Sequence, residues 1–277
     1  MKFLRVIFFL CLVPFSVSAQ HIEGGIFLGG STYYGDLDPD DLHLDGTHFG
    51  YGLVLKYNVN DYVSIRGSIL GGQFSGDDAR NDEESIQQRN LSFRSSVAEF
   101  SLVPEFNILG YNPYDKIFSP YVFGGIAAFR FNPETDLDGQ TYKLQPYGTE
   151  GQGLPGRPTR YSLTEIAIPL GAGIKFSLTE YWNIGFEFGY RVTFTDYIDD
   201  VSTTYVDRDE FLAADNEIGA NLANRTAELT GSDPVNVPGT TRGNPNQNDR
   251  YIFTGFSITY NFLDGFGSKR YGCPTNF

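Results

Sequence analysis

Three kinds of side chain in this sequence could do chemistry: clustered carboxylates, a few histidines and one glycine-rich run. Asp36, Asp38, Asp40 and Asp41 crowd together as a calcium loop would. An EF-hand loop needs glycine at its sixth position and glutamate at its twelfth. Counted from Asp36, those positions hold Asp41 and Thr47, so the motif fails and a solvated acidic loop is the expectation. His21, His43 and His48 have no two members at ligand spacing on one element, which argues against zinc. A hydrolase would need a serine or aspartate activated by histidine. Only His48 falls in an expected strand, at its loop end, with no partner readable nearby. Leu28–Thr32 is glycine-rich but continues a strand and opens no helix, so a phosphate cradle is a poor reading. We expect no catalytic, cofactor or metal site.

A larger set of charges becomes coherent only as the lining of a barrel. Period-two alternation is clearest from Tyr181 onward. Trp182, Ile184, Phe186, Phe188, Tyr190, Val192 and Phe194 share one face, and Asn183, Gly185, Glu187, Gly189, Arg191, Thr193 and Thr195 share the other. A tilted strand crosses a hydrocarbon layer in about 9–11 residues. An apolar outside and a polar inside suit a membrane barrel. Seven further segments read the same way: Ile22–Tyr34, Thr47–Asn58, Tyr62–Phe74, Ser92–Ile108, Pro120–Phe131, Tyr161–Leu178 and Arg250–Phe262. The expected fold is all-β, an eight-stranded antiparallel transmembrane β-barrel with short periplasmic turns and long extracellular loops. Inward positions then carry Glu23, Glu99, Glu105, Glu165 and Glu187 against Lys56, Arg66, Arg130, Lys175 and Arg191. Buried charges must be paired, and a barrel of about eight strands has room for side chains but none for an open pore. A salt-bridged plug is therefore expected.

Composition agrees. The chain has 277 residues, 16 % aromatics and 32 glycines. No apolar run reaches the ~18 residues of a membrane helix. The net charge of −14 and the pI of about 4.5 argue against nucleic acid, which needs a basic face. Lys2 and Arg5, an apolar stretch from Val6 to Val13 and small residues before Gln20 read as an export signal over residues 1–19. The barrel is assigned residues 20–262 and a periplasmic tail residues 263–277, placing the protein in the outer membrane of a Gram-negative bacterium. Cleavage leaves Cys273 as the only cysteine. Loop acids, including Asp77, Asp78, Asp82, Asp199, Asp200 and Asp207, read as an acidic outer rim that divalent ions could bridge to lipopolysaccharide.

Several stretches resemble PorG-like outer-membrane barrels: Glu23–Leu37 (EGGIFLGGSTYYGDL), Leu55–Asn58, Pro120–Ile126, Leu144–Gly153 (LQPYGTEGQG) and Cys273-Pro274. The resemblance covers nearly all of the chain beyond the export signal. It implies an integral outer-membrane component of the type IX secretion system. It implies an anchor for a periplasmic ring of the lipoprotein PorK (GldK in gliding bacteria) and PorN (GldN), in contact with outer-membrane lipids. On that reading the partner-binding residues are Lys269, Arg270, Cys273, Pro274 and Phe277 of the tail. Tyr111, Asn112 and Tyr114 of the longest periplasmic turn join them. The alternative is a surface-binding or adhesion barrel acting through its acidic extracellular loops.

Overall fold

The computed structural model describes residues 22–38, 46–113, 115–231 and 237–262. The expected export signal, Tyr114 and the whole tail with Lys269, Arg270, Cys273, Pro274 and Phe277 lie outside these residues. Eight antiparallel staves close into a ring: β1 (Ile22–Tyr34), β2 (His48–Asn58), β3 (Val63–Asp77), β4 (Ser92–Asn107), a stave split at Gly125 into β5 (Phe118–Gly124) and β6 (Ile126–Arg130), and, after a loop hairpin, β9 (Thr164–Ser177), β10 (Trp182–Thr193) and β11 (Arg250–Asn261). The hairpin is β7 (Pro133–Leu137) with β8 (Gln140–Lys143). The ring closes where β1 pairs with β11, with Gly29 opposite Gly255. All eight expected strands are present, most within three residues of their expected ends.

The alternation explains the closure. Along β4 the residues from Phe93 to Asn107 alternate strictly between buried and solvent-facing. Phe93, Val97, Glu99, Val103 and Glu105 point inward, and Phe100, Leu102 and Phe106 point outward. A closed sheet leaves no unpaired edge. The outside is a belt of large apolar side chains with no protein against them: Leu53 is 62 % exposed, Ile69 57 %, Phe100 59 % and Phe256 55 %. Such a belt on a closed barrel is the surface that a membrane-spanning barrel turns to lipid.

The connections sort by length onto opposite ends. Turns at Val59–Tyr62 and Leu178–Tyr181 and the compact Ile108–Ile117 connection lie at one end. At the other end lie the long connections expected as long extracellular loops. They fold into a cap. The second loop contributes a 3-10 turn (Asp78–Arg80) and α1 (Glu84–Gln87), and the third contributes β7 and β8. The fourth contributes α2 (Arg208–Ala213), α3 (Glu217–Ala223) and α4 (Thr226–Thr230). Ile198, Val201, Leu222, Leu137 and Leu144 of these loops join the same apolar cluster as Tyr33, Phe74, Phe93, Phe129 and Phe131 of the barrel wall. A second cluster of Leu154, Phe211, Ala220 and Ala223 holds the cap to itself. The acids Asp78, Asp199 and Asp200, expected on the outer rim, are instead buried inside the cap. They are the ties between loops.

Candidate functional site: a filled lumen and a buried carboxylate cap

β10 sets the order of the lumen layers, because Asn183, Glu187 and Arg191 recur every four residues on its inner face. At the short-turn end Asn183 accepts a hydrogen bond from the Tyr111 hydroxyl (2.5 Å) and donates to Asn261 Oδ1 (3.0 Å). Glu23 takes bonds there from Asn58 (2.7 Å) and Thr259 (3.0 Å). Next comes the main charged layer. Glu105 faces three cations: Arg66 at 3.0 Å, Lys56 at 3.3 Å and Lys175 at 3.3 Å. Arg66 also donates to Glu187 (2.5 Å), which accepts a further bond from the Tyr121 hydroxyl (2.8 Å). Arg66 stacks over Phe123 at 4.4 Å, and Lys175 lies over Tyr111 at 4.8 Å. In the third layer Arg191 grips Glu99 through Nε (3.0 Å) and Nη2 (3.2 Å), and Tyr251 donates to the same carboxylate (2.9 Å). Planar two-point contact of this kind is the strong form of an arginine–carboxylate pair. Above it the lumen is aromatic, with Phe74, Phe129, Phe131 and Tyr251 packed ring to ring.

Eight of the ten expected lumen charges occupy this plug: Glu23, Lys56, Arg66, Glu99, Glu105, Lys175, Glu187 and Arg191. Two do not. Arg130 points outward and is exposed, because Phe129 and Phe131 take the inward positions on its strand. The expectation assumed aromatic faces outside, and the upper lumen reverses that rule. Glu165 lies on the inward side at the rim, opposite Phe129, half-buried and in no ion pair among the described residues.

The expected partner-binding turn is also revised. Tyr111 is 5 % exposed and serves as the floor of the lumen, so it is withdrawn from any docking face. Asn112 stays half-exposed and bridges to Lys116.

The cap holds the groups that sequence reasoning missed. Arg89 clamps Asp78 through two bonds (2.6 and 2.8 Å) and donates to the carbonyls of Asp36 (2.8 Å) and Arg242 (2.6 Å). Arg242 donates to Glu150 Oε1 (3.0 Å) and to the Asp200 carbonyl (2.6 Å). Glu150 also accepts from the backbone N–H groups of Ser202 and Thr203. Asp200 accepts from Tyr161 (2.6 Å) and from Thr149. The Tyr33 hydroxyl lies 2.6 Å from Asp199 and 3.0 Å from Asp249. Little in the sequence pointed here: Arg89 shares its loop with Arg80, and Arg242 shares its loop with Arg208 and Arg225.

Burial dominates the electrostatics of this cluster. It pushes Asp200 up to about 6 against the pull of Arg242, and Asp196 up to about 7. It raises Asp199 and Asp249 well above the usual carboxylate range, with mutual repulsion adding to the effect. Asp36 and Asp78 are raised for the same reason and restrained by hydrogen bonds and by Arg89. No group of three metal-ligating side chains forms among the described residues. One polar cleft of about 600 Å³ lies outside the wall between Val192, Arg250 and the Asn244–Asn248 segment.

A family model described as "Domain of unknown function (DUF6089)" matches residues 1–213. No curated protein matches the chain. Among solved structures the chain is similar to Ail, the attachment invasion locus protein of Yersinia pestis, in complex with a heparin analogue. That match has 12 % identity and a TM-score of 0.39, covering 88 % of this chain and 97 % of that one. It is similar to Neisserial surface protein A at 10 % identity and a TM-score of 0.40, covering 88 % and 98 %. It is similar to OprG of Pseudomonas aeruginosa at 10 % identity and a TM-score of 0.35, covering 88 % and 95 %.

Proposed function

The chain belongs to the DUF6089 family, and from that premise we propose a non-catalytic outer-membrane barrel that anchors the periplasmic PorK/PorN (GldK/GldN) ring of the type IX secretion machinery. The apolar belt supports the membrane location. The observation that carries the reading is the filled lumen. Three polar layers and an aromatic layer occupy the bore, and the cap packs onto the last of them. An unfolded polypeptide has no route through such a barrel, so its work belongs to its two ends. The resemblance of Glu23–Leu37, Pro120–Ile126 and Leu144–Gly153 to PorG-like barrels selects the periplasmic end. There Asn112 and the tail residues Lys269, Arg270, Cys273, Pro274 and Phe277 are the proposed contacts. The tail is basic, and it carries a thiol and a terminal aromatic.

A pull-down tests this. Tagged full-length protein is extracted from native outer membranes in a gentle detergent, with and without Lys269–Phe277. Ring proteins recovered with the tail and lost without it are the expected result. Their absence from both samples would sink the reading.

A second reading has its own observation. The long loops form a folded cap with a core of its own rather than a flexible fringe, as a surface-binding barrel would require. Deleting Asp200–Asn248 separates the two: an anchor keeps its ring, and a surface binder loses its ligand.

A further inference from the structure

The cap buries more negative than positive charge. Among the described residues, half-buried Asp36 of the first loop, buried Asp78 of the second, Glu150 of the third and Asp196, Asp199, Asp200 and Asp249 of the fourth share two buried cations, Arg89 and Arg242, while a third, Arg225, is taken up by Glu228. Arg89 is committed to Asp78, and Arg242 to Glu150 and Asp200.

Hydrogen counting shows how part of the excess is met. Tyr33, Asp199 and Asp249 are buried, with relative exposures of 0 %, 1 % and 0 %. The single Tyr33 hydrogen can serve one of its two carboxylate contacts. The other contact requires a proton on a carboxyl group, so one of the two carboxyls is held neutral beside the Tyr33 hydroxyl. Gly35 leaves the space beside it clear, and any side chain there would displace the Tyr33 and Asp249 groups. A Cβ there would lie 1.9 Å from the Tyr33 oxygen and 2.0 Å from Asp249 Oδ1.

Asp196 is the second member of the device. It follows β10 by three residues and is 7 % exposed. Both of its carboxylate oxygens are buried without a hydrogen-bond partner. Ser202 lies beside it without reaching bonding geometry. The charged groups that bear on it are Asp36 and Glu150, both negative, and its own charge in turn raises Asp249. A buried carboxylate whose neighbouring Ser202 falls short of bonding geometry, and which has two like-charged neighbours, is a disfavoured ion. As a neutral acid it fits.

We propose that the extracellular cap is a proton-operated latch, closed when Asp196 is protonated and released when Asp196 ionises. Ionisation sets Asp196 against Asp36 and Glu150. The fourth loop can relieve that repulsion by lifting Asp196 into water, and with it the Tyr33–Asp249 tie. The sign follows from the direction of the shift. An exposed aspartate titrates near 3.9, and the closed cap raises Asp196 to about 7. The closed state therefore binds the extra proton, is fully favoured below about pH 4, and loses stability as pH rises to about 7. Above about 7 the loss is complete. One group gives at most about a tenfold change in the opening constant per pH unit within that window.

The test is hydrogen–deuterium exchange of residues 196–249 in the full-length protein in lipid nanodiscs, at pH 5, 6, 7 and 8, corrected for intrinsic exchange. The ratio of wild-type to Asp196→Asn protection is expected to fall by up to about tenfold per unit to pH 7 and then to level off, because Asp199, Asp200 and Asp249 titrate in both. Peptides from β4 and β10 should hold steady. Asp196→Asn should flatten the cap's slope by about one proton. Should Asp196→Asn leave the cap open at every pH, Asp36→Asn decides. It removes one facing charge, keeps an acceptor for the Asn244 N–H, and should move the wild-type transition to lower pH. An unchanged slope in Asp196→Asn, a flat wild-type profile or an unmoved midpoint in Asp36→Asn would overturn the latch. So would millimolar calcium restoring pH 5 protection at pH 8, because the site would then be one for a cation.

Discussion

Glu105 carries the heaviest duty of any side chain in the lumen. It is the common partner of Lys56, Arg66 and Lys175, and all four are buried. Removing one partner of a buried ion pair leaves an uncompensated charge and costs about 3–5 kcal/mol. Glu105→Gln keeps the shape and deletes the charge. It should lower the barrel's resistance to urea by an amount in that range, measured by tryptophan fluorescence of Trp182 in lipid vesicles. A change under about 1 kcal/mol would mean the three cations find relief elsewhere. Residue types alone indicated that a plug exists, but not which acid sits at its centre. Pairing depends on which staves face one another across the bore, and Glu105 on β4 meets cations from β2, β3 and β9.

Among the elements, β1 and β11 make the closing seam, and it is built for close contact. At Gly29 a Cβ would lie 2.1 Å from the Thr254 carbonyl oxygen and 2.6 Å from Gly255 Cα. Gly29→Val should therefore hold the first and last staves apart. The variant is expected to lose the heat-sensitive electrophoretic migration that folded barrels show on gels. Retention of that shift would mean the seam tolerates a side chain. Strand identities were legible because alternation is a local property, readable within ten residues. Arg130 was misplaced because the upper bore is aromatic, and alternation alone does not say which face is inside. The cap was not legible at all. Its ties join residues such as Arg89 and Arg242, 153 positions apart, and no window of sequence contains both.

The molecule as a whole is a stopper. Its bore is occupied by side chains from the Tyr111 floor to the aromatic layer, and its long-loop end is covered. Reconstituted into planar bilayers, it should show no stepwise conductance above the bare membrane. Deleting Asp200–Asn248 should not create any, because the Glu105 and Glu99 layers remain below the cap. Stable unit openings in either form would revive a transport role. The cap also carries a consequence for biogenesis. Tyr33 lies one residue from the end of the first stave, Asp249 immediately precedes the last, and Arg89 binds a carbonyl near the end of the fourth loop. These ties span almost the whole polypeptide, so they cannot form until the final stave is in place. An antibody that recognises the assembled cap would be blind to nascent or half-inserted chains, and its binding to living cells would count only finished molecules.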